Sequence, residues 1–328
     1  MKRWGIAIAL AAAVGVGVVI HDATAQQQLQ QQIQQGVQQL LQQTVPQQQQ
    51  PPAQVQQGQA QPAQAPLPIK REITQVKGDV YRFQNANHSS VFMVTPRGII
   101  VTDPINADAA KWLKDELAKR FPNNPVRYLI YSHDHADHIS GGEVFADTAT
   151  VVAHENAKGH IVAEKRLTAV PTVTFSDSMT LELGGKAVEL TFLGPNHSDN
   201  SIVMRFPAER ILFAVDFIPV KAVAFRDFPN SWIGEWIDSL KKVEAMDFDV
   251  LAPGHGALGT VADVKAFRGY MEELRAAVLA QIRAGKTVEE TKAAVKMEKY
   301  KDWGAYEMWI GLNVEGMYRH MANYRRPN

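Results

Sequence analysis

The chain contains no cysteine. That absence excludes disulfides, a thiol nucleophile, thiolate metal ligands and iron–sulfur clusters together. It also excludes a lipid-anchored export signal, which needs a cysteine. Any metal ion must therefore be held by nitrogen and oxygen. Net charge is missing too: 34 basic side chains balance 34 acidic ones. With no long basic run either, there is no electrostatic case for nucleic acid or an anionic membrane as partner, and a small-molecule substrate is the expected one. An ordinary apolar share, 45% of 328 residues, remains. It can build one large domain or two smaller ones.

The chain opens "MKRWGIAIALAAAVGVGVVIHDATAQQ". Lys2 and Arg3 form a basic start, Gly5 to Ile20 is apolar, and Ala23-Thr24-Ala25 is a small-x-small site. That order reads as a secretory signal peptide over residues 1–25, cleaved after Ala25. The apolar run is short for a span of about 20 residues. The expected location is periplasmic or secreted, without stable membrane insertion once the leader is cleaved; an uncleaved N-terminal anchor is the alternative. Residues 26–66 are mostly Gln, Pro and Ala and read as a disordered linker, because they cannot bury enough apolar surface to offset their ordering entropy. Leu29, Ile33, Val37, Leu40 and Leu41 recur at helical spacing, which leaves a short helix there as the alternative.

The folded domain is expected over residues 67–328. "DVYRF", "SSVFMVT" and "GIIVTD" read as strands. "ADAAKWLKDELAKRF" has helical periodicity. "VRYLIYS" is a continuous apolar strand of the buried kind. A short helix is expected at "GGEVFADT" and a strand at "ATVVAH". A second half follows with the strands "MTLELGG", "AVELTFLG", "SIVMRFP" and "RILFAVD", the helix "EWIDSLKKVEAM" and the strand "DVLAPG". Residues 261–328 read as a helical C-terminal extension, with Thr287 and Glu290 forming a capping box. Two sheets with outer helices is the economical α/β architecture.

The chemistry concentrates at "YSHDHADHISGG", directly after the buried strand. Three of ten histidines stand here beside two aspartates. On extended backbone His133 and His135 point the same way and can share one metal ion. Asp137 and His138 are adjacent and so diverge, which suits a second ion nearby. Gly141 and Gly142 begin the next helix and let its N-terminus, with its favourable dipole, approach the site. Imidazoles and carboxylates packed this densely are costly without a cation. Further candidates end other strands: His197 in "LGPNHSDNS", Asp216 in "LFAVDF" and His255 in "LAPGHG". His88, His154, His160 and His320 are read as structural.

With these motifs in order over most of residues 73–260, the chain resembles the metallo-β-lactamase fold superfamily of hydrolases. The resemblance implies an αβ/βα four-layer sandwich. It implies that His133, His135 and His197 bind one zinc ion, that Asp137, His138 and His255 bind a second, and that Asp216 bridges the two. Asp137 would also orient the hydroxide shared by the metals. Asp103, in "IIVTDP", matches an early aspartate that supports the ligand histidines from behind; a helix-cap or turn role for it stays open. The activity implied is cleavage of an ester, lactone, thioester or lactam-type bond with two zinc ions per chain. The alternatives are a mononuclear iron oxygenase of the persulfide dioxygenase type, with Fe2+, and a true β-lactamase.

The departures narrow the choice. The β-lactamases with a cysteine ligand are excluded. The β-lactamase group with an all-nitrogen-and-oxygen site generally lacks the bridging aspartate, so Asp216 argues against close kinship. The Gly-Cys-Gly-Arg stretch of glyoxalase II is absent after Asp216, which disfavours glutathione thioesters. Val215 stands where the family usually has glycine. The segment "PVKAVAFRDFPNSW" is read as a substrate-lining loop carrying Lys221, Phe225, Arg226 and Trp232. Trp303, Trp309 and Tyr318 are read as core or oligomer contacts.

Overall fold

The computed structural model describes residues 69–323. The leader and the linker read from the sequence lie outside those residues. Alternation along the strands builds the fold. In β3 (His88–Thr95), β4 (Gly98–Thr102) and β11 (Ile211–Val215), residues of one parity face the partner sheet and those of the other parity face helices. Thus Val91, Met93, Ile100, Phe213 and Val215 fill the space between the sheets, while Phe92, Ile99 and Val101 point outward on the first sheet. Leu212 and Ala214 point outward on the second. Burial on both faces is why these strands read as unbroken apolar runs.

The first sheet has seven strands in chain order: β1 (Arg71–Lys77), β2 (Val80–Asn85), β3, β4, β5 (Val126–Ile130), β6 (Thr150–His154) and β7 (Val173–Phe175). It is antiparallel as far as β4 and parallel from β4 to β7. The second has five, in the order β12-β11-β10-β9-β8, with β8 (Ser178–Leu183), β9 (Lys186–Phe192), β10 (Ile202–Phe206) and β12 (Val250–Pro253). Helices α1 (Ala107–Arg120) and α3 (Glu155–Ala163) cover the first sheet; α4 (Ile233–Glu244) and α5 (Val261–Arg283) cover the second. The result is the four-layer αβ/βα sandwich with C-terminal helices. Between α1 and α3 the chain makes one short turn of helix, α2 (Ala136–Ile139).

Local sequence explains the helices. Asn106 caps α1 by accepting from the Ala109 amide at 2.9 Å. In α4, Ile233, Trp236, Ile237, Leu240 and Val243 recur at helical spacing and form its buried face. Thr260 with Asp263, and Thr287 with Glu290, form capping boxes for α5 and for α6 (Val288–Ala294). Two strands had no clear signal. β1 is mostly exposed and polar, and β7 has three residues.

The extension ends in α7 (Tyr306–Asn323), which packs back onto the second half. Its Asn313 is fully buried. The Asn313 amide donates to the Ala224 carbonyl at 2.9 Å and to that of Arg226, and its oxygen accepts from the Tyr270 hydroxyl. Gly304 exchanges backbone hydrogen bonds with Lys221 and Val223, and Gly316 lies so close to Asp227 that a Cβ would meet its carbonyl at 2.2 Å. The loop after β11 is therefore fastened by the extension. Asn313→Ala should cost about 2–3 kcal/mol, because it strands the buried Ala224 carbonyl and Tyr270 hydroxyl and the part-buried Arg226 carbonyl. Urea unfolding checks this; a loss below about 0.5 kcal/mol, the usual surface value, would mean that the clamp is not needed.

Candidate metal centre

The centre forms where strands of both sheets end. β5 delivers Ser132 to His135, β10 is preceded by His197, β11 ends at Asp216, and β12 leads to His255. Asp103 follows β4 and is fully buried. It accepts from the Ser132 amide at 2.8 Å and from the Ser132 hydroxyl at 2.6 Å. The Ser132 oxygen is then left to accept from His133 Nδ1 at 2.9 Å. That places the His133 proton on Nδ1 and turns the Nε2 lone pair to the centre. Asp103 likewise takes His138 Nδ1 at 3.3 Å, and the Asn87 carbonyl takes His255 Nδ1 at 3.2 Å. Such partners fix ring orientation at metal sites. Asp103 therefore supports two of the histidines, and it is not a helix cap.

Two groups of donor atoms result: His133, His135, His197 and Asp216, and Asp137, His138, Asp216 and His255, each lying within 4.8 Å. Asp216 belongs to both. In the first, Asp216 Oδ2 is 3.8 Å from His133 Nε2 and 3.7 Å from His197 Nε2. In the second, His138 Nε2 is 3.1 Å from Asp216 Oδ2 and 3.6 Å from Asp137 Oδ2. Ligands at about 2.0–2.1 Å from a tetrahedral zinc stand about 3.4 Å from one another, so both groups fit an ion of that size. Two buried atoms support the fit. His133 Nε2 has no hydrogen-bond partner, and Asp216 Oδ1 makes no hydrogen bond although His255 Nε2 stands 3.3 Å away. Buried polar atoms left unpaired call for a ligand.

The charges of the metal-free chain show the same tension. Burial pushes the His133 imidazole well below its ordinary value, and His197 down to about 4. Burial alone would raise Asp216, but the charge and hydrogen bond of His138, with His255 close by, outweigh it and hold the carboxyl well below the usual range. Burial opposes protonation of His138 too, yet Asp216 and Asp103 on either side carry it well above the ordinary histidine value. A positive charge at His138 is thus favoured by the two carboxylates that flank it.

Three expectations need correction. Asp137 and His138 serve the second group as expected, but adjacency does not send them apart: from the single turn α2 both reach the same group. The segment after Gly141 is one 3-10 turn, Gly142–Phe145, and not the α-helix expected there. Both glycines serve packing instead, Gly141 (φ +86°) against the backbone of Ala107 and Gly142 against the Tyr131 hydroxyl. Of the loop residues read as substrate-lining, only Phe225 lines the cavity over the centre; Lys221, Arg226 and Trp232 do not. Lys221 and Arg226 have positive φ, 48° and 47°, and turn their side chains to solvent, while Trp232 caps α4.

Other residues escaped the sequence reading. The start of β3 pairs with His255 in an isolated bridge, and Ser89 donates to the Gly254 carbonyl at 2.7 Å. That brings His88 to the rim, where its Nε2 donates to Asp137 Oδ2 at 3.2 Å. Asp134, between the motif histidines, faces away and is locked by Asn200 at 2.8 Å and Arg166 at 2.9 Å. Trp309 of α7 also lines the cavity. His154, His160 and His320 bond elsewhere, to Ser176, Asp199 and Phe228. The cavity measures about 650 Å³, with His135, Asp137, His197, Asp216 and His255 on its floor.

Gly254 backs the centre: a Cβ there would meet Asp216 Oδ1 at 2.7 Å and His138 Cε1 at 3.0 Å. Gly254→Ala should displace Asp216 and reduce tightly held zinc, read by elemental analysis after dialysis. Undiminished metal content would show that the carboxylate has room to spare.

Comparisons with known proteins agree with this geometry. A family profile for the metallo-beta-lactamase superfamily matches residues 86–255. The chain is 26% identical over 262 residues to the 2,4-dinitroanisole O-demethylase subunit alpha of Nocardioides sp. (strain JS1661), covering 76% of this chain and 78% of that protein. It is 27% identical over 176 residues to a metallo-beta-lactamase type 2 of Bacteroides fragilis, covering 53% and 67%. A solved metallo-beta-lactamase from Pontibacter korlensis superposes with a TM-score of 0.56 at 19% identity, over 62% of this chain and 99% of that one.

Proposed function

Because the chain belongs to the metallo-β-lactamase superfamily of metal-dependent hydrolases, we propose that it holds two zinc ions and hydrolyses an ester, lactone, thioester or lactam-type bond of a small molecule. One observation carries this reading: Asp216 is shared by two four-donor groups on the floor of a cavity large enough for such a substrate. A zinc pair would supply Lewis acidity and a water of lowered pKa. The residues supply the rest. His133, His135 and His197 offer neutral imidazole nitrogens to one ion; Asp137, His138 and His255 serve the other. Asp216 has two oxygens and can face both. Asp137, half-exposed at the cavity edge and held by His88, orients the attacking water and accepts its hydrogen bond at a carboxylate oxygen. No serine or lysine nucleophile is required.

The iron oxygenase reading needs only one metal, so the second donor group, complete at Asp137, His138 and His255, weighs against it. The β-lactamase reading is one arm of the same experiment. The test is a hydrolysis panel on the zinc-loaded chain, covering lactams, lactones, thioesters, carboxylic and sulfate esters, and, given the relative named for 2,4-dinitroanisole, electron-poor aryl methyl ethers. Turnover of at least one class is expected, lost on chelation and restored by zinc. Turnover indifferent to chelation, or oxygen consumption restored by iron alone, would contradict the proposal.

Asp216→Asn removes the charge that both groups share. The variant should keep its fold, hold close to one zinc after dialysis, and lose at least about 100-fold in turnover. Two tightly held zincs with unchanged rates would remove Asp216 from the bridge position. A chain beginning at Leu67 should retain the full turnover number, since residues 26–66 carry no ligand; a large loss at equal zinc content would give that stretch a role in catalysis.

A further inference from the structure

The wall of the cavity differs in kind from its floor. Above the donor groups stand Val220, Val223, Phe225, Pro229 and Trp309. Phe225 and Trp309 meet edge to face with ring centroids 5.0 Å apart, a favoured arrangement for aromatic pairs. Phe225 is 45% exposed, a large apolar area for a side chain with no structural duty. No lysine or arginine is among the described residues that line the cavity. The nearest cation in sequence, Arg226, lies over the Phe225 ring at 5.9 Å from its centroid and stands off the wall.

The two rings come from different parts of the chain. Phe225 sits on the loop after β11, which Asn313 and Gly304 fasten to the extension. Trp309 is on α7 itself, beyond the segment that matches the family, residues 86–255. The aromatic wall is thus shared between a loop inside that segment and a helix beyond it, joined because α7 folds back over the loop.

We propose that Phe225 and Trp309 form the acceptor for the non-reacting part of the substrate, and that this part is an uncharged aryl or extended apolar group. The proposal rests on the hydrolase reading above for what happens at the floor. The chemistry is direct. A flat apolar group gains by leaving water against two rings, whereas a carboxylate at the same place would be desolvated with no cation on the wall to pair with. Substrate choice then resides in the loop after β11 together with the C-terminal helix that packs on it.

The test pairs a binding measurement with turnover. The binding probe is 2-acetylnaphthalene, a neutral aryl ketone that cannot be hydrolysed, compared with 6-acetyl-2-naphthoate by calorimetry on the zinc-loaded full chain. The ketone should bind at least about tenfold tighter than the carboxylate. Trp309→Ala and Phe225→Ala should each weaken it by about tenfold, and Trp309→Phe should recover most of the loss. Phe225 is exposed enough that its variant tests the wall even if Trp309→Ala fails to fold. For turnover, 4-nitrophenyl valerate should exceed 4-nitrophenyl hemisuccinate in kcat/KM, with the difference lost in Phe225→Ala through KM. Equal binding in wild type and folded variants, or tighter binding of the carboxylate, would overturn the proposal. Ring-dependent binding without turnover of any ester would keep the wall and remove the hydrolase reading; ester turnover with ring-independent binding would do the reverse.

Discussion

The unfavourable gathering of six imidazole and carboxylate ligands around Asp216 constrains everything else in this molecule. Desolvated carboxylates and neutral histidines at this density repel or starve one another of partners unless a cation lies among them. The fold nevertheless enforces the gathering, because His133, His135, Asp216 and His255 follow the ends of buried strands, while the turn α2 carries Asp137 and His138 and the loop between β9 and β10 carries His197. Strand ends cannot drift without disturbing the core between the sheets. The buried Asp103–Ser132 pair extends the constraint by setting the ring orientations of His133 and His138.

Backbone strain occurs at two of these strand ends. Asp103 and Val215, at the ends of β4 and β11, both have positive φ, 24° and 40°. For a β-branched valine that conformation is costly. It places Asp216 between the two donor groups where glycine is usual in the family. The surrounding sandwich must compensate, and the clamp of Asn313 on the following loop is one place where it does. Thus the C-terminal extension, which carries no candidate ligand, steadies the loop next to the centre and completes the cavity.

Much of the fold was legible because periodicity maps directly onto burial. The apolar runs of β5 and β11, the cap of α6, and the candidate ligands after strand ends could all be read from residue order. What escaped reading depends on three-dimensional return. His88 reaches Asp137 only because the start of β3 pairs with the end of β12. Trp309 reaches the cavity only because α7 folds back; its own spacing shows no more than an amphipathic helix. Gly141 and Gly142 misled because glycine signals close approach without naming the neighbour, here Ala107 and Tyr131 in place of a ligand. Asp137 and His138 were read as diverging because they are adjacent, and a single helical turn brings both to one donor group. Lys221 and Arg226 sit beside lining residues in sequence but turn outward at positive φ. Nothing in "HSDNS" singles out Asn200, whose bonds to Asp134 keep that aspartate off the centre.

The central claim is that one carboxylate organises two adjacent metal positions. Anomalous diffraction from crystals of the zinc-loaded protein, collected on both sides of the zinc edge, tests it most directly. The account predicts two peaks about 3.5–4 Å apart, the usual spacing of paired metal sites, with Asp216 reaching both, His133, His135 and His197 around one, and Asp137, His138 and His255 around the other. A single peak at full zinc loading, or a second peak away from Asp216, would contradict it.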